Sequence, residues 1–115
     1  MSRKSAPWQV WLADLSPVIG SEQSGRRPIV VVNSPFYASF PISMAIVVPL
    51  TTQGRGLPHQ VPVSSAQSGL HRQSWARTDD VRAISEHRLV GHPLGSVSDQ
   101  EANDIRGYLR LMLDL

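Results

Sequence analysis

The sequence predicts a mostly β protein, a curled antiparallel sheet or small β-barrel with one C-terminal α-helix and short helical turns. Several short stretches have the alternating or β-branched composition of strands, and turn residues separate them at hairpin spacing. The last stretch changes to helical periodicity. A chain of 115 residues fits one domain, which we expect to span 1–115.

The first two strands are predicted on either side of a polar loop. Trp8–Leu15 alternates between two sets of side chains, which is typical of a strand. Val18–Gly25 is polar and glycine-rich, so we expect a loop there. Pro28–Asn33 is a nearly continuous β-branched run, which favours a buried strand whose first position tolerates the proline.

Two more strands are predicted in the middle of the chain. Asn33–Pro41 contains two prolines and is expected to be a loop. Ser43–Leu50 is the predicted third strand, and Gly54–Pro58 is a turn. His59–Val63 is a short fourth strand, which Pro62 places at a sheet edge.

The last third of the chain is predicted to hold one more strand and the helix. Ser74–Ile84 is the predicted fifth strand, Ser85–Leu89 is one helical turn capped by Ser85, and Gly91–Gly95 ends that turn. Ser98 and Glu101 have the spacing of a capping box, which predicts a helix start. The helix face expected to pack on the sheet consists of Ala102, Ile105, Leu109 and Met112.

The charge distribution suggests an anionic partner for the first two-thirds of the chain. From 15 to 77 the single acid Glu22 accompanies five arginines, whereas 78–115 has seven acids and four arginines. An uneven but merely solvated surface explains the same pattern equally well. The chain has no cysteine, no signal-peptide pattern and no long apolar run, so we expect a cytoplasmic protein without a membrane segment.

Several kinds of catalytic site are disfavoured by the residues present. The four histidines are scattered, and there is no HExxH or paired-aspartate motif, so we expect no metal. A nucleophile elbow and a glycine-rich phosphate loop are also missing, so we expect no nucleotide cofactor.

Two features could form a site together. The polar loop of 20–28 delivers Arg27 to the start of the second strand, and hydroxyl groups follow the end of the third, with Thr51 among them. If these strands pair antiparallel, Arg27 and Thr51 converge. The alternative is that Arg27 pairs with a carboxylate and Thr51 only ends a strand.

A guanidinium and a hydroxyl can support RNA cleavage without a metal. The 2′-hydroxyl of RNA is the attacking group, so the protein needs only to align it and to stabilise charge on the phosphorus oxygens. DNA lacks this hydroxyl and should not be cut.

The segment 14–28, DLSPVIGSEQSGRRP, closely resembles the signature of the MazF/PemK/Kid toxin family. The resemblance continues through 29–33, VPLTTQ at 48–53, LPH at 57–59, RAI at 82–84 and RL at 88–89, and thus covers nearly the whole chain in the family's order.

This resemblance implies a fold and an activity. The fold would be a CcdB-like, SH3-like barrel that forms a homodimer. The activity would be sequence-specific cleavage of single-stranded mRNA, independent of the ribosome, leaving a 2′,3′-cyclic phosphate and a 5′-hydroxyl. The partner would be a MazE-like antitoxin whose disordered acidic C-terminal segment folds into the RNA groove.

The resemblance also implies roles for particular residues. Arg27 matches the family's catalytic arginine and Thr51 its catalytic threonine. Because arginine keeps its proton at neutral pH, we expect Arg27 to stabilise charge, with proton transfer shared by Thr51, water or His59. The alternative for His59 is a loop histidine without a catalytic role. The residues predicted to bind substrate are Ser21, Glu22 and Gln23 in the loop that folds over the substrate, together with Thr52, Gln53, Arg55, His59, Asp80 and Arg82.

Two departures from the family pattern affect the prediction. Pro7-Trp8-Gln9 stands where the first strand usually opens with a Gly-Asp pair. Asp80 stands where some members have a glutamine that reads a base, and a carboxylate would accept from a base amino group instead of donating. A solvated acid at a strand edge is the alternative for Asp80.

Two other functions remain open at this point. CcdB-like toxins bind DNA gyrase and have no nuclease activity, and a regulatory module would bind nucleic acid without cutting it. A gyrase supercoiling assay and a gel shift with intact nucleic acid distinguish these two functions from the ribonuclease.

Overall fold

The computed structural model describes residues 4–15 and 25–115. Within these ranges the chain forms seven strands, all paired antiparallel, and an amphipathic C-terminal helix, which confirms the predicted mostly β fold. The strands are β1 (Gln9–Asp14), β2 (Arg26–Val31), β3 (Met44–Thr51), β4 (Gln60–Val63), β5 (Ser74–Arg77), β6 (Arg82–Ser85) and β7 (Leu89–Ser96). The helices are α1 (Pro35–Ala38) and α2 (Asp99–Leu113), and 3-10 turns span Ala66–Ser68, Thr78–Asp80 and Glu86–Arg88.

The sheet runs in the order β4-β5-β3-β2-β1-β7, and β6 also pairs with β3. β3 is therefore the central strand, with β2 on one side and both β5 and β6 on the other. Consecutive residues of β3 are buried. Because alternate residues of a strand point to opposite sides of the sheet, both faces of β3 are covered by a core. The helix-side core packs against α2 and contains Val10, Val30, Val48, Leu50, Val61, Val63, Ala76, Val97, Ala102 and Ile105. The opposite-face core contains Trp11, Ala13, Leu15, Ile29, Val31, Ala45, Val47, Ile84 and Leu89.

The single strand predicted over Ser74–Ile84 is wrong, because the structure splits it into β5 and β6. Between the pairs Leu50–Ala76 and Val47–Arg82, β3 advances three residues while its partner advances six. The three extra residues form the turn Thr78–Asp80, which leaves the ladder. This turn could not be predicted from the sequence, since local alternation does not show where a partner strand lies.

The segment Gly91–Gly95, predicted only to end the helical turn, lies inside β7, and the sequence did not predict this strand. Its register against β1 shifts between Val10 and Leu12, so the extra residues of β7 form a bulge that accommodates Gly91 at φ +67°. A Cβ atom at Gly95 would overlap the carbonyl oxygen of Gln67. Glycine here therefore reflects close packing of β7 on the turn Ala66–Ser68.

The predicted loop Asn33–Pro41 contains the short helix α1, so that prediction is wrong for four residues. Ser34 caps α1 by accepting a hydrogen bond from the Tyr37 backbone, and Pro35 occupies the first helical position, where its missing N–H is harmless. The turn predicted after Ser85 is confirmed as Glu86–Arg88.

The first strand begins at a residue with unusual backbone geometry. Trp8 has φ +69°, a conformation that favours glycine, and it belongs to Pro7-Trp8-Gln9, the segment where the resemblance implies a Gly-Asp pair. Its N–H donates to Val31 at 2.7 Å and its carbonyl accepts from Val97 at 3.0 Å. Arg106 stacks over its indole ring at 4.9 Å. These contacts hold the left-handed conformation without a glycine.

The predicted capping box at the start of α2 is confirmed. Ser98 Oγ accepts from the Glu101 backbone at 3.1 Å, and Glu101 Oε1 accepts from the Ser98 backbone at 2.8 Å. Of the predicted apolar face, Ala102 and Ile105 are buried, whereas Met112 is 45% exposed. The helix therefore packs on the sheet through its first half.

Candidate active site

Arg27 and Thr51 lie at the ends of neighbouring strands. β2 and β3 pair through Ile29 and Pro49, and each candidate residue lies two positions beyond that pair. Continued by two residues, the same antiparallel register sets Arg27 opposite Thr51. The predicted antiparallel arrangement of these strands is confirmed.

The alternation of side chains assigns both residues to the same face of the sheet. Arg27 shares the face of Ile29, and Thr51 shares the face of Val47, and both of these residues belong to the opposite-face core. Ala13, which pairs with Arg27 from β1, belongs to that core as well.

The two side chains have groups available for a ligand. Arg27 is exposed, and within the described ranges no hydrogen bond or ion pair joins its guanidinium to another side chain. Thr51 is half-buried, and its Oγ1 accepts a hydrogen bond from the Gln53 backbone at 3.1 Å. That bond orients the hydroxyl and leaves its O–H able to donate.

Thr51 lies in a groove of about 460 Å³ near the end of β3, on the side of the sheet that carries β5 and β4. The groove is polar, and its lining residues come from the end of β3, the loop after it, β4, β5 and the turn Thr78–Asp80. They are Thr51, Gln53, Arg55, Leu57, His59, Gln60, Arg77 and Asp79.

The loop between β3 and β4 forms one wall of the groove. The Arg55 backbone donates to Gln60 Oε1 at 2.8 Å, which closes the loop onto the start of β4. A Cβ atom at Gly54 would lie 2.7 Å from the ring of Trp75, so only glycine fits without displacing that ring. Trp75 in turn pairs with Thr51, which places this wall directly beside the hydroxyl.

Two arginine side chains place positive charge at the groove, which favours an anionic ligand. Arg55 is exposed, and Arg77 is partly exposed with its Nη1 3.6 Å from Asp80 Oδ2. An exposed pair of this kind is weak, so Arg77 can still bind a phosphate. Arginine forks suit phosphate oxygens because they donate two parallel hydrogen bonds.

The structure brings together only some of the predicted binding residues. Gln53, Arg55 and His59 line the groove with Thr51.

The other predicted residues lie outside the groove. Thr52 points to the other face, into a smaller apolar cavity. Arg82 lines a third cavity. Asp80 sits on the turn beside Asp79, and Ser21, Glu22 and Gln23 fall outside the described residues.

Four groove residues were missed as site residues from the sequence: Leu57, which lies in the loop before β4, and the three residues Gln60, Arg77 and Asp79. The position of these three depends on the pairing of β5 with β3 at Thr51 and with β4 at Gln60. The alternation of Trp75 and Arg77 would have assigned both to one face, but which strand lies next to β3 is not visible in the sequence.

The described residues hold neither a metal-binding cluster of side chains nor a membrane-spanning helix. In 4–15 and 25–115 no group of three or more histidine, aspartate or glutamate side chains is arranged to hold a metal ion. Nor does any helix within these ranges have the length and apolar composition needed to span a membrane.

Comparison with known proteins assigns a family. The family model for the PemK-like, MazF-like toxin of type II toxin-antitoxin systems matches residues 6–113. The endoribonuclease toxin MazF of Escherichia coli K12 is 34% identical over 104 residues, which cover 90% of this chain and 88% of that protein. The crystal structure of MazF from Deinococcus radiodurans has a TM-score of 0.83 at 19% identity, covering 99% of this chain and 100% of that chain. An endoribonuclease from a mycobacterial species, in complex with its cognate antitoxin, has a TM-score of 0.79 at 23% identity and 96% coverage of both chains. The chain therefore belongs to the family of PemK-like and MazF-like toxins of type II toxin-antitoxin systems.

Proposed function

We propose that this chain, as one toxin domain spanning 1–115, is a sequence-specific endoribonuclease that cleaves single-stranded RNA without a metal ion. The observation that supports the proposal most strongly is the shared face of Arg27 and Thr51 at the ends of β2 and β3, beside an arginine-lined groove. The endoribonuclease activity of the E. coli relative favours the same reaction.

The chemistry follows from the substrate. The 2′-oxygen attacks the adjacent phosphorus, the bond from phosphorus to the 5′-oxygen breaks, and the products carry a 2′,3′-cyclic phosphate and a 5′-hydroxyl. Negative charge grows on the two non-bridging oxygens in the transition state. Arg27 donates to one of them with a fixed charge, and Thr51 donates its O–H to the same phosphate.

The groove binds the rest of the RNA strand. Arg55 and Arg77 contact phosphates, and Gln53 presents an amide to a base. Ser21, Glu22 and Gln23, which lie outside the described residues, remain predicted RNA-binding residues. The roles of Thr52, Asp80 and Arg82 remain predictions, because these side chains lie outside the groove.

The same surface accounts for the proposed regulation. An acidic peptide segment would meet Arg27, Arg55 and Arg77 in place of the RNA backbone, so a cognate MazE-like antitoxin would block the site by competing with RNA. The mycobacterial relative solved with its antitoxin supports this kind of partner. We further propose a cytoplasmic homodimer as the active form.

The proposal is tested by cleavage in the presence of EDTA. We expect the purified protein to cut a mixed single-stranded RNA pool, to leave DNA of the same sequence intact, and to produce 2′,3′-cyclic phosphate ends. Cleavage of the DNA strand, or activity that returns only with added Mg²⁺, would refute this mechanism. Inhibition of gyrase supercoiling with no RNA cut would instead favour the CcdB-like alternative.

A further inference from the structure

We propose that His59 is a catalytic residue that gives a proton to the departing 5′-oxygen, and that Asp79 is the positioning residue that holds its imidazole. This inference rests on the proposed ribonuclease function. It assigns a proton donor for the departure of the 5′-oxygen, a step for which neither Arg27 nor Thr51 is a suitable acid.

The imidazole and the carboxylate form a pair inside the groove. His59 Nε2 lies 3.3 Å from Asp79 Oδ2, and the two side chains are 21% and 50% exposed. Both line the same cavity as Thr51. With Nε2 turned to the carboxylate, Nδ1 is the ring nitrogen left for a substrate atom.

The turn Thr78–Asp80 holds His59 at both its backbone and its ring. Thr78 is fully buried, and its Oγ1 donates to the His59 carbonyl oxygen at 2.7 Å. The next residue, Asp79, contacts the ring. Two contacts from consecutive residues restrict both the backbone and the side chain of His59, as expected for a group that must meet one substrate atom.

The reaction needs such a group. When the 2′-oxygen bonds to phosphorus, the electron pair of the breaking bond stays on the 5′-oxygen, which takes a proton from the imidazolium of His59. The 2′-hydroxyl proton passes to water, and solvent reprotonates the imidazole afterwards. Arginine does not release its proton near neutral pH, and an alcohol is a weak acid, whereas histidine gains and loses a proton in this range. The carboxylate of Asp79 lies against Nε2 and so orients the ring.

The other residues that line the groove do not offer a better proton donor. Arg55 and Arg77 bring positive charge to the phosphate, and Asp80 pairs with Arg77. Of the groove-lining side chains that the structure describes, His59 is the one imidazole.

The test uses an RNA whose scissile 5′-oxygen is replaced by sulfur. A thiolate leaves without a proton, so loss of the proton donor should not slow this substrate. We expect His59→Gln to cleave ordinary RNA about 10²- to 10⁴-fold more slowly than the parent protein and the 5′-thio substrate at nearly the parent rate. We expect Asp79→Asn to lose about tenfold on ordinary RNA, with the same recovery on the thio substrate.

Two further variants separate the possible outcomes. His92→Gln changes an exposed histidine in β7 and should cut both substrates at the parent rate. Arg27→Ala should be slow on both, since charge on the phosphorus oxygens is unchanged by the sulfur. If His59→Gln and Asp79→Asn are equally slow on both substrates, or if neither is slow on ordinary RNA, the proton-donor role is overturned while the ribonuclease remains. If the parent protein cuts neither substrate, the proposed function itself fails.

Discussion

Replacing Arg27 by alanine is expected to lower the single-turnover rate of RNA cleavage by about 10³-fold. In the proposed mechanism the guanidinium donates to the oxygens where negative charge develops, and water does not supply this positive charge. Arg27→Lys should recover only part of the rate, since an ammonium keeps the charge but lacks the planar pair of donors. Cleavage of an end-labelled RNA with enzyme in excess measures both effects.

Arg26 is the matched control for this experiment. It is exposed and adjacent in sequence, and it belongs to the same strand, but alternation directs its side chain to the other face. Arg26→Ala therefore removes the same charge at almost the same place and should retain most of the activity. A loss of equal size in the two variants would mean that general positive charge, and not a positioned guanidinium, accelerates the reaction.

The largest expected effect on stability comes from Glu101, which joins the start of α2 to the loop after β4. Its carboxylate accepts four hydrogen bonds: from the Ser64 backbone at 2.8 Å, from the Ser65 backbone at 3.0 Å and hydroxyl at 2.6 Å, and from the Ser98 backbone at 2.8 Å. Only 8% of the residue is exposed. Glu101→Ala leaves three backbone N–H groups without this partner, so we expect a loss of about 3 kcal/mol in the free energy of unfolding, measured in urea.

Glu101 also makes stability depend on pH. Burial alone would raise the pKa of this carboxyl, but the hydrogen bonds from Ser65, Ser98 and Ser64 outweigh burial and lower the pKa below its ordinary value of 4.5. The contribution of Glu101 is therefore complete above about pH 4.5 and is lost as the pH falls through the lower folded-state pKa.

The pH effect is measured as a difference between variants. The stability gap between the parent protein and Glu101→Gln should be constant near neutral pH and should narrow below pH 4.5. Asp104→Asn is the control on the same helix, because Asp104 is exposed and bonds only to Gln100 among the described residues. A gap that stays constant down to pH 3 would show that the hydrogen bonds do not favour the ionised carboxylate.

Elements with a strong local signal were predicted well from the sequence. The alternation of Trp8–Leu15 and the β-branched run after Pro28 correspond to β1 and β2, and Ser98 with Glu101 marks the start of α2. In each case the residues that specify the element are neighbours in the sequence, so propensity and tertiary packing agree.

Elements that depend on a partner strand were predicted less well. The turn Thr78–Asp80 exists because β3 continues straight while β5 and β6 pair with it in different registers. Gly91–Gly95 contains residues typical of a break, yet β7 pairs with β1 on both sides of the bulge and so includes this segment. Long-range pairing overrides the local preference in both cases.

The residues of the candidate site also fall into two groups, those with a clear local signal and those whose position depends on strand pairing. Arg27 and Thr51 could be paired from the sequence because each adjoins a clear strand in an antiparallel order. Arg77 and Asp79 enter the groove only through the β3–β5 pairing and the turn after it, so local patterns did not select them. The contribution of Ser21–Gln23 remains a prediction.

A double-mutant cycle on Arg27 and Thr51 tests the central claim most directly. If the guanidinium and the hydroxyl act on one phosphate, each single variant, Arg27→Ala and Thr51→Val, loses most of the rate enhancement. In single-turnover cleavage the double variant should then be little slower than the slower single variant. Multiplying effects, in which the double variant loses the product of the two single losses, would show that the two residues act independently and would contradict this account.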